Sequence, residues 1–523
     1  MTDAPQDRTA IHNAIWSTAD ELRGSMDGWD FKNYVLGFMF YRFISRFFTD
    51  YVNKAQRAAG VADFDYARLD DDTAESGRYL ARELGYFILP GELFDNVLKN
   101  THVDQLNERL ATVFRNIESS GEGEDSEEGF KGLFDNVNLQ NNSLATSARE
   151  RNEKLQTIMQ KIAGMDLGSG DIDAFGDAYE FLMGMYASNA GKSGGEYFTP
   201  QQVSKLLALL AADGRDRLRY VYDPACGSGS LLLKLTGSGQ SGDAVQVGAF
   251  CGQEVNPTTY DLCRMNMILH EVNFTDFHII RGDTLATPCY DWKTRLGEGF
   301  EGFDAIVSNP PYSIKWKGKT NPLYADDPRF SPAGALAPVN YADLAFVMHM
   351  LYSLAEDGTA AIVCFPGIMY RGGAEKTIRK YLVEQNFVDA VIGLPDKLFY
   401  GTQIATDIMV LKKNRERRDI LFIDASAECV PVTNGNLLSP DNIARIYGLY
   451  KDRQPAENLC STVDPEAIKE NDWNLSVSNY VEKPDTTEPV DIKALNASLA
   501  EIAARSQKLR EEIDAIVREI EGE

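Results

Sequence analysis

Tyr220-Val221-Tyr222-Asp223-Pro224-Ala225-Cys226-Gly227-Ser228-Gly229-Ser230 decides the fold. Tyr220–Tyr222 reads as a strand. An acid ends it, Gly227 and Gly229 allow a tight turn with close backbone approach to a ligand, and Leu231–Leu235 reads as the helix that follows. From here on, strands and helices alternate. The expected strands are Tyr220–Tyr222, Ala249–Gln253, Phe277–Arg281, Ala305–Ser308, Thr359–Phe365, Val388–Ile392, Thr406–Leu411 and Ile420–Ile423. Leu344–Leu354 and Ala374–Gln385 show helical patterns. This grammar predicts a Rossmann-like, doubly wound, mostly parallel α/β sheet. Little helix separates the last two strands, so an antiparallel edge is expected there.

In such a sheet ligands bind at the carboxyl ends of the strands, so the residues there matter most. Asp223 ends the first strand, Gln253-Glu254 the second and Gly282-Asp283-Thr284-Leu285 the third. Singly, each acid is a common cap or turn residue. Together they suit a ligand with an ammonium for Asp223, ribose hydroxyls for Glu254 and an adenine amine for Asp283. S-adenosylmethionine (SAM) has all three, plus a positive sulfonium. A phosphate site would instead want a positive field.

The fourth strand runs into Ser308-Asn309-Pro310-Pro311-Tyr312. Two prolines have fixed φ and no N–H, which leaves the turn's carbonyls to face a ligand. An aromatic amine is a poor nucleophile because its lone pair is delocalised into the ring. The Asn309 side-chain oxygen and the Pro310 carbonyl can each accept one N–H, localising that lone pair and offsetting the charge that develops on nitrogen. Tyr312 offers a face for an extruded base. Pro288-Cys289 echoes the nucleophile of cytosine-C5 methylation, but it follows the third strand, where adenine is expected, and is read as structural. Lys315-Trp316-Lys317-Gly318-Lys319 is a basic, aromatic patch that reads equally as a phosphate-tracking segment or a solvated loop.

Upstream the pattern is helical. Ile11, Ile15 and Leu22, then Phe31, Val35, Phe38, Met39, Arg42, Phe43 and Phe47, recur at helical spacing, with Asp30 as an expected cap of the second helix. Leu106, Leu110, Val113 and Ile117 form another apolar face, and Glu118–Glu128 reads as a solvated acidic loop. Ala174–Ala190 is helical, with Phe175, Tyr179, Leu182, Met183 and Tyr186 on one face. The Gly191-Lys192-Ser193 that follows lacks the upstream glycine and preceding strand of a phosphate-binding loop. At the far end Leu495, Leu499, Ile502, Ser506, Leu509, Ile513, Ile516 and Ile520 keep heptad spacing. Such a narrow stripe seeks another helix, in a partner or in this chain. The division expected is 1–170 helical, 171–480 catalytic and 481–523 a coiled-coil-like tail.

The chain has 523 residues and a net charge of −26. A protein that held DNA alone would show a basic balance, because phosphate contacts carry most of the affinity. Either the substrate is not nucleic acid or a partner supplies much of the contact. The seven cysteines show no metal or disulfide spacing, so no metal is expected. There is no apolar run of membrane-spanning length and no signal-like start, so the expected location is cytoplasmic.

Asn-Pro-Pro-Tyr after a strand resembles the catalytic motif of amino-group methyltransferases. The whole chain resembles the modification (M) subunit of type I restriction-modification systems. The likeness is carried by Ile15-Trp16, Asp27–Phe31, Gly194–Pro200, Asp223–Ser230, Ser308–Tyr312, Cys364–Gly367, Arg371–Ala374 and the terminal heptads. That resemblance implies SAM-dependent methylation of adenine N6 in DNA. It implies two M subunits with one specificity (S) subunit that reads the sequence, and a restriction (R) subunit that joins them. It places Glu196, Tyr197, Phe198, Thr199, Pro200, Gln201, Ser228, Gly229, Ser230 and Glu254 around the cofactor and makes Asn309, Pro310, Pro311 and Tyr312 catalytic. The C-terminal helix would pack on the S subunit. Protein glutamine-N5 methylation and a non-catalytic scaffold are the competing readings.

Overall fold

The computed structural model describes residues 28–124, 126–142, 144–165, 199–237, 244–289, 291–399, 403–433, 435–482 and 492–522. It divides into two compact units, Met1–Val481 and Glu482–Glu523.

The first unit includes a helical layer built on α1 (Gly28–Ala58), α2 (Leu106–Ser119) and α3 (Ala148–Gly164), connected by longer segments of short helices and turns. α1 is apolar nearly all round, and Tyr34–Ile44 is buried throughout. α1 runs from Gly28, which puts Asp30 inside its first turn rather than at a cap. The expected α2 face holds, with Leu106, Leu110, Val113 and Ile117 all buried. The Phe114 and Phe134 rings stack at 4.1 Å and Tyr41 meets Phe114 edge-on, so aromatic area supplies much of this core. Arg42, buried among apolar groups, spends its charge on the carbonyls of Ile162 and Met165 at the end of α3.

The sheet strands are β1 (Arg217–Asp223), β2 (Gln246–Glu254), β3 (Phe277–Arg281), β4 (Phe303–Ser308), β5 (Leu354–Cys364), β6 (Val388–Gly393), β7 (Asp407–Lys412) and β8 (Ile420–Asp424). β9 (Val430–Val432) and β10 (Gly435–Leu437) form a separate hairpin, and β11 (Cys460–Val463) joins the main sheet. All eight expected strands are present. The order is β11-β8-β6-β7-β5-β4-β1-β2-β3. β7 runs antiparallel to both β5 and β6, and β11 antiparallel to β8; the other pairings are parallel. The expected antiparallel edge is therefore corrected: β7 lies inside the sheet, β8 is parallel to β6, and the antiparallel edge is β11. β6 and β7 follow one another with no described helix between them and pair as antiparallel neighbours.

Helices cover both faces, as a parallel sheet requires. Ala305 and Val307 of β4 face a layer that includes α4 (Gln201–Ala212) and α5 (Pro257–Leu269). Ile306 faces α6 (Asp343–Ser353) and α7 (Ala374–Glu384). α8 (Pro440–Asp452) completes the first layer. Leu262, Met265 and Leu269 of α5 also belong to the helical layer's core. The Glu118–Glu128 segment is not simply solvated. Arg264 of α5, almost fully buried, donates to the carbonyls of Glu128, Gly129 and Lys131, while Glu128 pairs with Arg295 at 2.9 Å. Buried carbonyls need donors, and one guanidinium supplies three.

The second unit is one helix, α9 (Ile492–Glu521), with every described side chain exposed. Leu495, Leu499, Ile502, Leu509, Ile513, Ile516 and Ile520 all exceed half exposure.

Candidate active site

The strand order reverses between β1 and β4, which pair in parallel with β2 and β5 on their outer sides. That switch point is where a doubly wound sheet opens a crevice. Asp223 ends β1 and Ser308 ends β4. The Ser308 hydroxyl donates to Asp223 Oδ1 at 2.7 Å, and the Ala225 N–H donates to the same oxygen at 2.9 Å. Asp223 is only 2% exposed. Burial pushes its carboxyl up to about 7, against the two hydrogen bonds that favour the charged form.

The turns beyond β1, β2 and β3 are knitted together. Cys226 N donates to the Gln253 carbonyl at 3.1 Å, and Gly227 N to Glu254 Oε2 at 3.0 Å. Glu254 Oε1 accepts from Asn256 N at 2.7 Å, and Gly282 N donates to the Glu254 carbonyl. The Thr284 hydroxyl donates to the Pro224 carbonyl, tying the β3 turn to the β1 turn. Asp283 Oδ1 caps its own turn through Leu285 N and Ala286 N. Gly227 has φ +54 and open space where a Cβ would stand. Gly229 has φ +77, and a Cβ there would lie 2.7 Å from the Cys263 sulfur. Glycine is needed at both, at Gly227 for backbone conformation and at Gly229 for packing as well. Ser228 and Ser230 hydroxyls lie 3.0 Å apart, and Ser230 opens the short helix Ser230–Leu233.

Asn309 follows β4 directly. Its Nδ2 donates to Thr199 Oγ1 at 3.0 Å, and its Oδ1 accepts from the Tyr312 hydroxyl at 2.5 Å. Pro310 is buried, and Asn309, Pro311 and Tyr312 are half-buried. Thr199, Pro200 and Gln201 lead into α4; Glu196, Tyr197 and Phe198 lie outside the described residues, as do Ala174–Ala190 and Gly191-Lys192-Ser193. Fourteen residues were singled out for the cofactor; of those from Thr199 to Gln201, Thr199 meets Asn309, and Pro200 and Gln201 follow it into α4.

Several supporting residues left no signal in the sequence. Ser313 sits at φ +53, and its N–H is held by both oxygens of Asp343 at 3.1 Å. A carboxylate fixing the residue just past Tyr312 sets where the motif ends. Arg329, buried and stacked on Phe330, donates to the Thr284 and Leu285 carbonyls and pairs with Asp327. His349 bridges the Tyr222 hydroxyl at 3.0 Å and Arg329 at 3.3 Å; burial, reinforced by Arg329, pushes it down to about 3, so it is neutral. The loop after the motif is thereby bolted to the β3 turn. Trp316 stacks on Tyr324 at 5.2 Å and donates to the Pro338 carbonyl, while Lys315, Lys317 and Lys319 are exposed. The Cys289 thiol is pushed up to about 11 by burial and by its hydrogen bond to Asp291, which leaves no thiolate for nucleophilic attack.

A doubly wound sheet with an antiparallel β7, acids at three successive strand ends and Asn-Pro-Pro-Tyr at the fourth has the frame of a SAM-dependent methyltransferase. Residues 170–489 match the N-6 DNA methylase family and residues 11–162 the HsdM N-terminal domain. The type I restriction enzyme MpnII methylase subunit of Mycoplasma pneumoniae is 47% identical over 98% of this chain and 97% of its own length. The MjaVIII methylase subunit of Methanocaldococcus jannaschii is 34% identical over 71% of this chain and 64% of its own. The solved type I restriction-modification methyltransferase subunit of Streptococcus thermophilus superposes with a TM-score of 0.81 at 36% identity, covering 91% of this chain and all of that one. The chain belongs to the N-6 DNA methylases as a type I restriction-modification methylase (M) subunit, an adenine-specific DNA methyltransferase.

Proposed function

We propose that this M subunit methylates N6 of an adenine extruded from duplex DNA, with SAM as donor, at sites selected by an S subunit. Two M subunits would flank one S subunit, and an R subunit would join to cleave unmodified DNA. The observation that carries the reading is the Asn309 amide at the β1–β4 crevice, beside the knitted carboxylate turns.

The crevice fits SAM in kind. Its strand ends offer carboxylates, Asp223, Glu254 and Asp283, to a ligand with an ammonium, a diol and an adenine amine. Each Glu254 oxygen accepts one backbone N–H, which fixes the carboxylate at the strand end where a ribose hydroxyl would donate to it. When bound, SAM supplies an electrophilic methyl group. Glu196–Gln201 and Ser228–Ser230 would line the same pocket, with Gly227 and Gly229 giving the backbone room and Thr284 holding the turn in place. No metal is required for this chemistry.

Asn309 and the Pro310 carbonyl accept the two N–H groups of the target amine and keep its lone pair on nitrogen. Tyr312 turns its ring to stack on the base, and its hydroxyl gives Asn309 Oδ1 up to the amine. Positioning accounts for most of the rate. Lys315, Lys317 and Lys319, raised on the Trp316–Tyr324 stack, meet phosphates near the extruded base. The α9 stripe packs against helices of the S subunit. The three-part division near residues 170 and 480 separates assembly from chemistry, and the location is cytoplasmic.

Transfer of tritiated methyl from SAM to DNA, by the chain alone and with its S subunit, tests this. DNA labelling that depends on the S subunit is expected. Labelling of protein but not DNA would overturn the reading in favour of glutamine methylation, and no labelling at all in favour of a scaffold.

A further inference from the structure

One hydrogen-bond chain is not explained by cofactor binding. Thr199 lies 110 residues before Asn309, yet its hydroxyl oxygen accepts from Asn309 Nδ2 at 3.0 Å. On the other side of the same amide the Tyr312 hydroxyl donates to Oδ1 at 2.5 Å. The amide is held at both ends.

The two ends of an asparagine amide are nearly alike in shape and opposite in hydrogen bonding. Only one orientation serves the reaction. A target amine brings N–H donors, so it needs Oδ1; a flipped amide would point its own N–H groups at them. The two partners favour the useful orientation. A phenol is a stronger donor and a weaker acceptor than an aliphatic alcohol, because its oxygen lone pair is delocalised into the ring. The phenol therefore draws Oδ1, and the aliphatic hydroxyl is left to take Nδ2. Once Tyr312 turns to stack on a base, its hydroxyl no longer guards the orientation.

We propose that Thr199 is a positioning residue for methyl transfer: its hydroxyl oxygen anchors the amino end of the Asn309 amide so that Oδ1 faces the target amine. The assignment rests on the function proposed above. The Tyr312 hydroxyl occupies the amine's place in the resting enzyme and is displaced by the base. The Thr199 hydroxyl is spent on Asn309, so the cofactor pocket proposed above for Glu196–Gln201 would draw on the other groups of that stretch. A cofactor contact changes SAM affinity, whereas an anchor for Asn309 changes the chemical step.

The test uses the full chain in complex with its S subunit, comparing Thr199→Val and Thr199→Ser with the unsubstituted enzyme. Single-turnover methyl transfer to target DNA is followed at saturating SAM, with SAM Kd and DNA KM measured alongside. Thr199→Val keeps the shape and removes the hydroxyl; it is expected to slow transfer by on the order of 10-fold or more, as for loss of a preorganised polar group. SAM Kd and DNA KM should stay within about 2-fold, a change worth well under the 1.4 kcal/mol of a tenfold effect. Thr199→Ser, which restores the oxygen, should recover most of the rate. Transfer by Thr199→Val at the unsubstituted rate, or a loss explained by weaker SAM binding, would overturn the assignment. So would a Thr199→Ser enzyme as slow as Thr199→Val. If the unsubstituted complex transfers no methyl to DNA, the functional reading itself falls.

Discussion

The Ser308 hydroxyl donates to the buried Asp223 carboxylate at 2.7 Å, clasping the ends of β4 and β1 together at the mouth of the crevice. Burial holds the Asp223 carboxyl up at about 7, above its ordinary 3.8. The sign of the consequence is definite. Between about pH 4 and pH 7 the folded protein keeps this proton while the unfolded chain has lost it, so stability falls as pH rises through that window. Asp407, also raised to about 7 by burial and by Asp424, adds a slope of the same sign. Asp223→Asn keeps the Oδ1 acceptor and cannot ionise. It should remove on the order of 1–3 kcal/mol of the stability lost between pH 5 and pH 8. Melting temperatures of both proteins at the two pH values check this; parallel pH slopes would refute it.

The same charge state bears on the cofactor. The SAM ammonium proposed to lie beside Asp223 would favour the ionised carboxylate, so SAM binding should release a proton below about pH 7 and tighten as pH rises from 6 to 8. Calorimetry in buffers of different ionisation heat measures the proton directly, and Asp223→Asn should abolish the release.

Arg264 makes a separate prediction about how the helical layer is held. Its guanidinium serves three carbonyls and Asp261 at once, in a nearly dry site. Arg264→Met fills similar volume but leaves the carbonyls and the Asp261 charge unpaired. Loss of one partner of a buried pair costs about 3–5 kcal/mol. A fall in melting temperature, with the Glu118–Glu128 segment becoming the first site of limited proteolysis, is expected.

How far the sequence foretold these features depends on what kind of signal each one leaves. All of the eight expected strands but β3 lie inside the sheet, and they were legible because strands covered on both faces must be largely apolar, as in Ala305-Ile306-Val307. β9 and β10 were not, since Val430, Pro431 and Val432 are exposed and carry no periodic signal. β7 announced its lack of a crossover helix, but not its place between β5 and β6, because pairing order is set by packing across the whole sheet. That Asp223, Glu254 and Asn309 stand at or just past strand ends was legible because the strands themselves were. The Thr199 partner was not, because nothing local links it to a residue 110 positions away. Trp316 shows the opposite failure: flanked by lysines it reads as an exposed contact residue, yet it stacks with Tyr324 and leaves only the lysines outside.

Asn309→Ala removes one of the two acceptors proposed for the amine and leaves the α9 stripe unaltered. Methyl transfer should fall by about 10²–10³-fold, the scale of losing one preorganised hydrogen-bonding group. Elution of the complex with the S subunit should be unchanged on a sizing column. A variant that dissociates would contradict the separation of chemistry from assembly.

The α9 stripe makes that separation testable from the other side. Leu499 and Ile513 are each more than half exposed, at 56% and 57%, so replacing both by Asp should leave the melting temperature of the Met1–Val481 unit in place. A charge in a helix–helix seam lacks a partner and must be desolvated. Co-purification with the S subunit should therefore be lost, as it should on truncation before Pro484. Retained binding by either variant would rule out α9 as the main seam.

Lys315, Lys317 and Lys319 stand exposed just beyond Tyr312, on a segment stiffened by the Trp316–Tyr324 stack and by Asp343 holding Ser313. In a chain of net charge −26 such a cluster suits the phosphate contact proposed above. Each phosphate neutralised releases counterions and contributes about 0.9 to the slope of log affinity against log salt. Replacing all three by Gln should weaken DNA binding by the complex and reduce that slope by about 1 to 3, equally for target and non-target sequences, because phosphate contacts carry no sequence information. SAM affinity and S-subunit assembly should not change. Fluorescence anisotropy at several salt concentrations measures the slope. An unchanged slope would mean that the lysines only solvate a loop, and that the S subunit and other surfaces carry the phosphate contacts near the extruded base.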